Sequence, residues 1–255
     1  ANVMKTLLFT SLLLISLNAL GQTQGSVTYE ETIQFKINFD GNDALSKDLQ
    51  SMLPSSKSTK KSLIFTERHS LYKTDDSDTG DEKLANQSGD RNIQIVMKRP
   101  ENVIYQNLSE NKVIEKKEFM DRIFLISDDT EKKAWKITGE QKEILGYLCQ
   151  KATTVRDSSD ITAWFTSQIP VSSGPNSYGG LPGLILEINK DDGKAIITAT
   201  EIDLETDVSK AIIPPSKGKK VNRKQFTKIQ KEKLEEMKLQ YGGSGDGTRV
   251  FIQQN

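Results

Sequence analysis

Leu184-Ile185-Leu186-Glu187-Ile188 and Ala195-Ile196-Ile197-Thr198-Ala199, joined through Asn189-Lys190-Asp191-Asp192-Gly193-Lys194, decide the fold. Two apolar runs meeting at an Asp-Gly turn predict an antiparallel hairpin, because Asp and Gly take the positive φ angles that a tight turn needs. Ahead of it lie two further strand candidates, Leu148–Arg156 and Ile161–Thr166, separated from the hairpin by the Gly/Pro-rich stretch 170–183. Further upstream come Asn92–Lys98, Asn102–Leu108, Lys112–Phe119, Arg122–Ser127 and Lys133–Thr138, each short and set off by turn-forming residues. Such close spacing predicts an antiparallel meander, since parallel neighbours need crossovers of about a dozen residues.

Towards the N-terminus, Val27 and Tyr29, then Ile33, Phe35, Ile37 and Phe39, alternate with polar residues, the period of a half-buried strand. Asp43 is placed to cap a short helix over Ala44–Leu53 that Pro54 stops. Leu63-Ile64-Phe65 and Leu71-Tyr72 form the next strand pair, and the acidic, Ser- and Gly-bearing stretch between Thr74 and Asp90 reads as a mobile surface loop. Near the C-terminus, Asn222 or Thr227 caps a helix through Gln240, with Phe226, Ile229, Leu234, Met237 and Tyr241 on an irregular apolar stripe. The expected fold is mainly β. A curved, open antiparallel meander sheet packs against a short N-terminal and a longer C-terminal helix, because a single-faced sheet and a striped helix must each be covered.

Met4 and Lys5 precede an apolar run from Thr6 to Leu17, and Ala19 and Gly21 follow it. The run is shorter than the roughly 20 residues that cross a bilayer, and the charge before it and small residues after it suit a cleaved secretory signal. Residues 1–21 are therefore expected to be a signal peptide, with 1–3 a start-site artefact. Residues 22–241 are expected to form one β-rich domain and 242–255 a Gly-rich tail. The expected location is the periplasm or the outer membrane, with no transmembrane span in the mature chain. Lysine and arginine number 35 against 35 acidic residues, so no nucleic-acid partner is expected.

Reactive residues are few. Cys149 is the one cysteine and His69 the one histidine, which excludes clusters of cysteines or histidines around zinc. Cys149 is expected to be buried and inert, as free cysteines commonly are. The pairs Asp75-Asp76, Asp128-Asp129 and Asp191-Asp192 all sit in expected turns, where Asp is favoured for backbone reasons. No catalytic residue, metal or cofactor is assigned.

The most distinctive stretch is Ala163-Trp164-Phe165-Thr166-Ser167-Gln168-Ile169-Pro170, continuing to Gly180-Leu181-Pro182-Gly183-Leu184-Ile185. The last six residues, with Gly-x-Val-x-Tyr-Glu at Gly25–Glu30 and Gly-Tyr-x-Cys-x-Lys-Ala at Gly146–Ala152, resemble the GLPGLI family of exported proteins from Gram-negative bacteria. Ser158-Ser159-Asp160 stands where members of that family often carry Gly-Arg. The resemblance implies an extracytoplasmic protein and supplies no reaction. Physically, Gly180 and Gly183 bracket a rigid Leu181-Pro182 turn. On one reading this corner is core structure. On the other, Trp164, Phe165, Pro170, Tyr178, Leu181 and Pro182 line a groove for an apolar, peptide or glycan ligand or for an envelope partner. The functional expectation is a non-enzymatic binding or accessory protein, with an exported hydrolase using His69 and a structural envelope component as alternatives.

Overall fold

The computed structural model describes residues 22–34, 54–78, 82–88, 91–97, 101–132 and 134–241. The expected signal peptide, the Ala44–Leu53 helix, the continuation of the first strand through Phe39 and the Gly-rich tail lie outside the described residues. The strands are β1 (Gly25–Gln34), β2 (Ser56–Phe65), β3 (His69–Thr74), β4 (Glu82–Ser88), β5 (Arg91–Met97), β6 (Asn102–Asn107) and β7 (Lys112–Phe119). Then come β8 (Arg122–Asp129), β9 (Lys136–Ile144), β10 (Tyr147–Arg156), β11 (Ser159–Thr166), β12 (Leu184–Lys190), β13 (Ala195–Asp203), β14 (Lys219–Val221) and the helix α1 (Arg223–Tyr241).

Twelve strands make one open sheet in the order β14-β8-β7-β6-β3-β2-β1-β13-β12-β11-β10-β9. The mainly β fold with a C-terminal helix is thus as expected. The decisive hairpin forms as β12 and β13, with Asp191, Asp192 and Gly193 all at positive φ in its turn. Strand β1 sits at the centre, paired antiparallel with both β13 and β2, and so joins two meanders. Its Val27 and Tyr29 are buried, as their alternation demands.

Chain length explains the curvature. Ten strand spacings separate β8 from β9, a span of roughly 48 Å if the sheet were flat. Residues 130–135 join these two strands directly, and such a link reaches about 24 Å at most. The sheet therefore curls until its two ends approach. Contacts from the link brace the curl: Glu131 pairs with Arg156 Nε at 3.1 Å, and Trp135 Nε1–H donates to the Gly179 carbonyl at 2.9 Å.

Two sequence expectations change. The stretch between Thr74 and Asp90 is not all loop, since β4 within it pairs with β5 as a separate two-stranded sheet. Polar Glu82-Lys83 and Asn86-Gln87-Ser88 hid that strand from a reading based on apolar alternation. The strand expected at Lys133–Thr138 instead runs over Lys136–Ile144. Gly139 and the charged run after it belong to an edge strand, where polar residues and Lys blunt further pairing.

After β13, residues 204–218 cross to the opposite sheet edge, where β14 pairs parallel with β8. Helix α1 begins with a reciprocal cap. The Gln225 N–H donates to Asn222 Oδ1 at 2.8 Å, and the Asn222 N–H donates to Gln225 Oε1 at 2.9 Å. Asn222, not Thr227, is the cap; the Thr227 hydroxyl bonds the Arg223 carbonyl within the helix. Arg223 pairs with the nearly buried Glu115, and Phe226 sits edge-on to Phe119 and Phe124. Of the apolar stripe, Phe226 is fully buried at this first turn, and Ile229, Leu234 and Met237 are half-buried behind it. Phe226→Ala is expected to cost about 3 kcal/mol and to reduce the helical circular dichroism with the sheet signal retained. An unchanged helical signal contradicts this docking.

Candidate functional site

The bowl is filled by the connection between β11 and β12, residues 167–183. Its first part is extended, with Ile169, Val171 and Ser173 buried and Pro170 and Ser172 exposed between them. Val171 N–H donates to Ile169 O, and Ser173 N–H to Val171 O, both at 2.8 Å. These three-residue turns want a central φ near −75°, which the proline ring at 170 supplies. Pro182 does the same, with Gly183 N–H bonded to Leu181 O at 2.8 Å. Leu181 and Tyr178 go inward and join the core with Phe165, Leu184, Ile185 and Leu186. Burying each large apolar side chain contributes about 2 kcal/mol.

Two glycines are required here. Gly183 has φ +151°, and a Cβ on it would lie 2.1 Å from the Thr166 carbonyl oxygen. Gly174 lies so close to β12 that a Cβ would come within 2.7 Å of the Ile185 Cβ.

The corner also completes the backbone hydrogen bonding of β12. Pairing with β11 slips between Trp164↔Glu187 and Phe165↔Ile185, and pairing with β13 starts only at Glu187. In place of β13, the loop carbonyls of Ile169 and Ser173 accept from the Leu184 and Ile185 N–H groups, each at 3.0 Å. The Tyr29 hydroxyl donates to the Ile185 carbonyl at 2.6 Å. Burial pushes the Tyr29 phenol well above its usual range, so it stays a donor.

The candidate ligand residues therefore separate. Phe165, Tyr178 and Leu181 lie in the core, while Pro170 and Pro182 are exposed on the loop. Trp164 is half-buried and packs at the border of the core. It points to the face opposite Phe165, with Lys151 of β10 and Glu187 of β12 as its cross-strand neighbours. Lys142 Nζ, from β9, lies 4.5 Å from the Trp164 ring centroid and 2.8 Å from both Glu187 carboxylate oxygens. Lys151 Nζ reaches both oxygens of Glu140 at 2.9 and 3.0 Å. An indole bracketed by two ion pairs results. Sequence reading missed Lys142, Lys151, Glu140 and Glu187, since only strand register brings them to Trp164.

The reactive residues are held in structural roles. His69 Nδ1 lies 2.9 Å from the Tyr105 hydroxyl, and the two rings stack at 5.8 Å. Cys149 is fully buried, and its thiol donates to the Tyr147 carbonyl at 3.5 Å. Desolvation raises the Cys149 thiol to about 11, Glu187 adding to the rise and Lys142 opposing it. His69 and Cys149 sit on β3 and β10, with five strands between them in the sheet. Asp128 accepts the Arg223 N–H, Asp129 pairs with Lys112, and Asp191 accepts from Ser159 and the Asp160 N–H. No group of three or more metal-ligating side chains occurs among the described residues, nor any helix long and apolar enough to cross a membrane. Open clefts are also present on the sheet. One of about 400 Å³ is lined by Asp160, Thr162 and Asn189, and one of about 590 Å³ by Tyr105, Asn107 and Pro214.

The structure defines a class: an open β-bowl plugged by its own Gly/Pro loop. The family described as N-glycanase peptide, N-terminal domain, matches residues 80–236, more than half of the chain. This chain belongs to that family. Among solved structures, PNGF-II in its P21 crystal form is similar at a TM-score of 0.54 and 19% identity, covering 81% of this chain and 33% of that one. Its C2 form gives a TM-score of 0.53 at the same identity, covering 81% and 32%. The chain thus spans about a third of the length of those structures, and the likeness is one of fold. No curated protein matches the chain.

Gly183→Ala is expected to destabilise by about 3 kcal/mol or more, read as a lower urea midpoint. A neutral effect contradicts the close approach to Thr166. For Cys149, the folded pKa lies above the unfolded value of 9.0. Its burial thus stabilises the fold fully below about pH 9, and that contribution is lost as pH rises through about 11. A disulfide thiol reagent at pH 8 is expected to leave the native protein unlabelled and to titrate one thiol in urea. Rapid native labelling contradicts the burial.

Proposed function

We propose that this chain is an exported, non-enzymatic binding or accessory domain whose ligand class is glycan, working in the bacterial periplasm or at the outer membrane. Family membership carries the reading: the matched family is named for an N-glycanase, and this chain corresponds to an N-terminal domain of it. The similar solved structures are about two and a half times as long, which suits a domain that positions substrate for chemistry done elsewhere. The side chains that a hydrolase would draw on support the same view. His69 is stacked on Tyr105, and Cys149 is buried with a raised pKa, a poor nucleophile at neutral pH. The GLPGLI-like motifs and the N-terminal apolar run support export.

Immobilised N-glycosylated ribonuclease and its enzymatically deglycosylated form separate the alternatives. The purified chain is expected to be retained by the glycosylated form alone and to release no glycan from it. His69→Ala and Cys149→Ala are expected to leave retention unchanged. Equal passage through both columns contradicts glycan binding, and release of glycan that His69→Ala abolishes restores the hydrolase reading.

A further inference from the structure

We propose that the outward face of β9–β12 around Trp164 is a saccharide subsite that takes a neutral sugar ring, and that the Lys142 ammonium covering the indole moves aside to admit it. This rests on the glycan reading above and assigns that reading a place and a ligand charge.

Three features of the geometry converge. First, Trp164 is the half-buried aromatic that the sheet register turns away from the bowl interior, opposite in direction to buried Phe165. A flat indole held by a strand on each side is pre-organised for the C–H face of a pyranose, which stacks on an aromatic at little entropic cost. Second, the groups around the ring carry the hydrogen-bonding partners that sugar hydroxyls use. Lys151 is a donor and Glu187 and Glu140 are acceptors; with Lys142 they form a quartet joined by ion pairs of 2.8 to 3.0 Å. Third, the quartet's formal charges cancel. An anionic sugar gains nothing from the lysines that it does not lose to the carboxylates, so neutral saccharides are preferred.

The same geometry identifies what a ligand displaces. Lys142 Nζ lies over the ring at 4.5 Å, where a stacked sugar would sit. Its contacts are cheap to give up. A cation–π contact at an exposed site is worth a factor of about two to five in an equilibrium constant, and Glu187 can accept from sugar hydroxyls once the ammonium leaves. Lys142 therefore sets affinity by competing for the ring, and Trp164 provides the contact itself. The second tryptophan, Trp135, is tied to Gly179 O and serves as an internal control.

The test is a nitrogen–proton NMR titration of the full chain with chitobiose, mannotriose and sialyllactose, following the two indole N–H signals. A neutral saccharide is expected to shift the Trp164 signal and leave the Trp135 signal in place. Trp164→Ala is expected to weaken binding at least tenfold with the Trp135 signal unmoved, which reports an intact corner. Lys142→Ser is expected to tighten binding about two- to fivefold. Three results overturn the proposal while leaving the glycan reading intact: glycoprotein retention that Trp164→Ala does not change, saccharide shifts confined to other residues, or a preference for sialyllactose. Failure to bind both the saccharides and the glycosylated ribonuclease overturns the two together.

Discussion

The Tyr29 hydroxyl reaches the Ile185 carbonyl across 2.6 Å of buried space, and the architecture depends on that bond and its neighbours. Strand β12 must leave its ladder with β13 at Leu186 so that the chain can turn inward, which strands the polar backbone of Leu184 and Ile185 in the core. Unmet hydrogen bonds in that position cost about 1 to 3 kcal/mol each. The loop carbonyls of Ile169 and Ser173 and the phenol of Tyr29 meet them instead. One set of contacts thus ties the central strand, the hairpin and the plug together. Tyr29 edges onto Tyr72 at 6.2 Å, extending the tie to the second meander.

Much of the remaining structure follows from this constraint. A sheet curled by a short link between its distant strands encloses a volume that needs filling. Filling it with residues 167–183 uses proline at two of its three three-residue turns, with Ser172 at the centre of the other, and demands a glycine where it passes Thr166. The helix is peripheral by comparison, held by its cap, one ion pair and Phe226 at the β8 end. The inner face is therefore spent on stability. On the other face, strand register assembles side chains from β9, β11 and β12 around one indole, where the proposed saccharide subsite lies.

Legibility in the sequence tracked how local the controlling physics was. The β12–β13 hairpin was readable because its turn chemistry and both apolar runs are contiguous. The cap at Asn222 was readable for the same reason, its partner Gln225 lying three residues away. Strand β9 was misplaced because an edge strand need not alternate, and Gly139 looked like a break. The C-terminal helix was expected to pack on the sheet and does so at β8; the loop's larger share was not legible, since alternate burial of Ile169, Val171 and Ser173 is masked by the proline and serine between them. Trp164 stood out by composition alone. Its charged neighbours did not, because Lys142 and Glu187 are 45 residues apart and meet only through two intervening strands.

The central claim is that the Gly/Pro corner is a structural plug built into the core, with recognition left to the outward face. Amide hydrogen exchange tests it most directly. The N–H groups of Val171, Ser173, Gly183, Leu184 and Ile185 should exchange as slowly as those of the central strand β1, through global unfolding only. Exchange there as fast as at exposed Asp192 in the hairpin turn would show a surface loop and contradict the account.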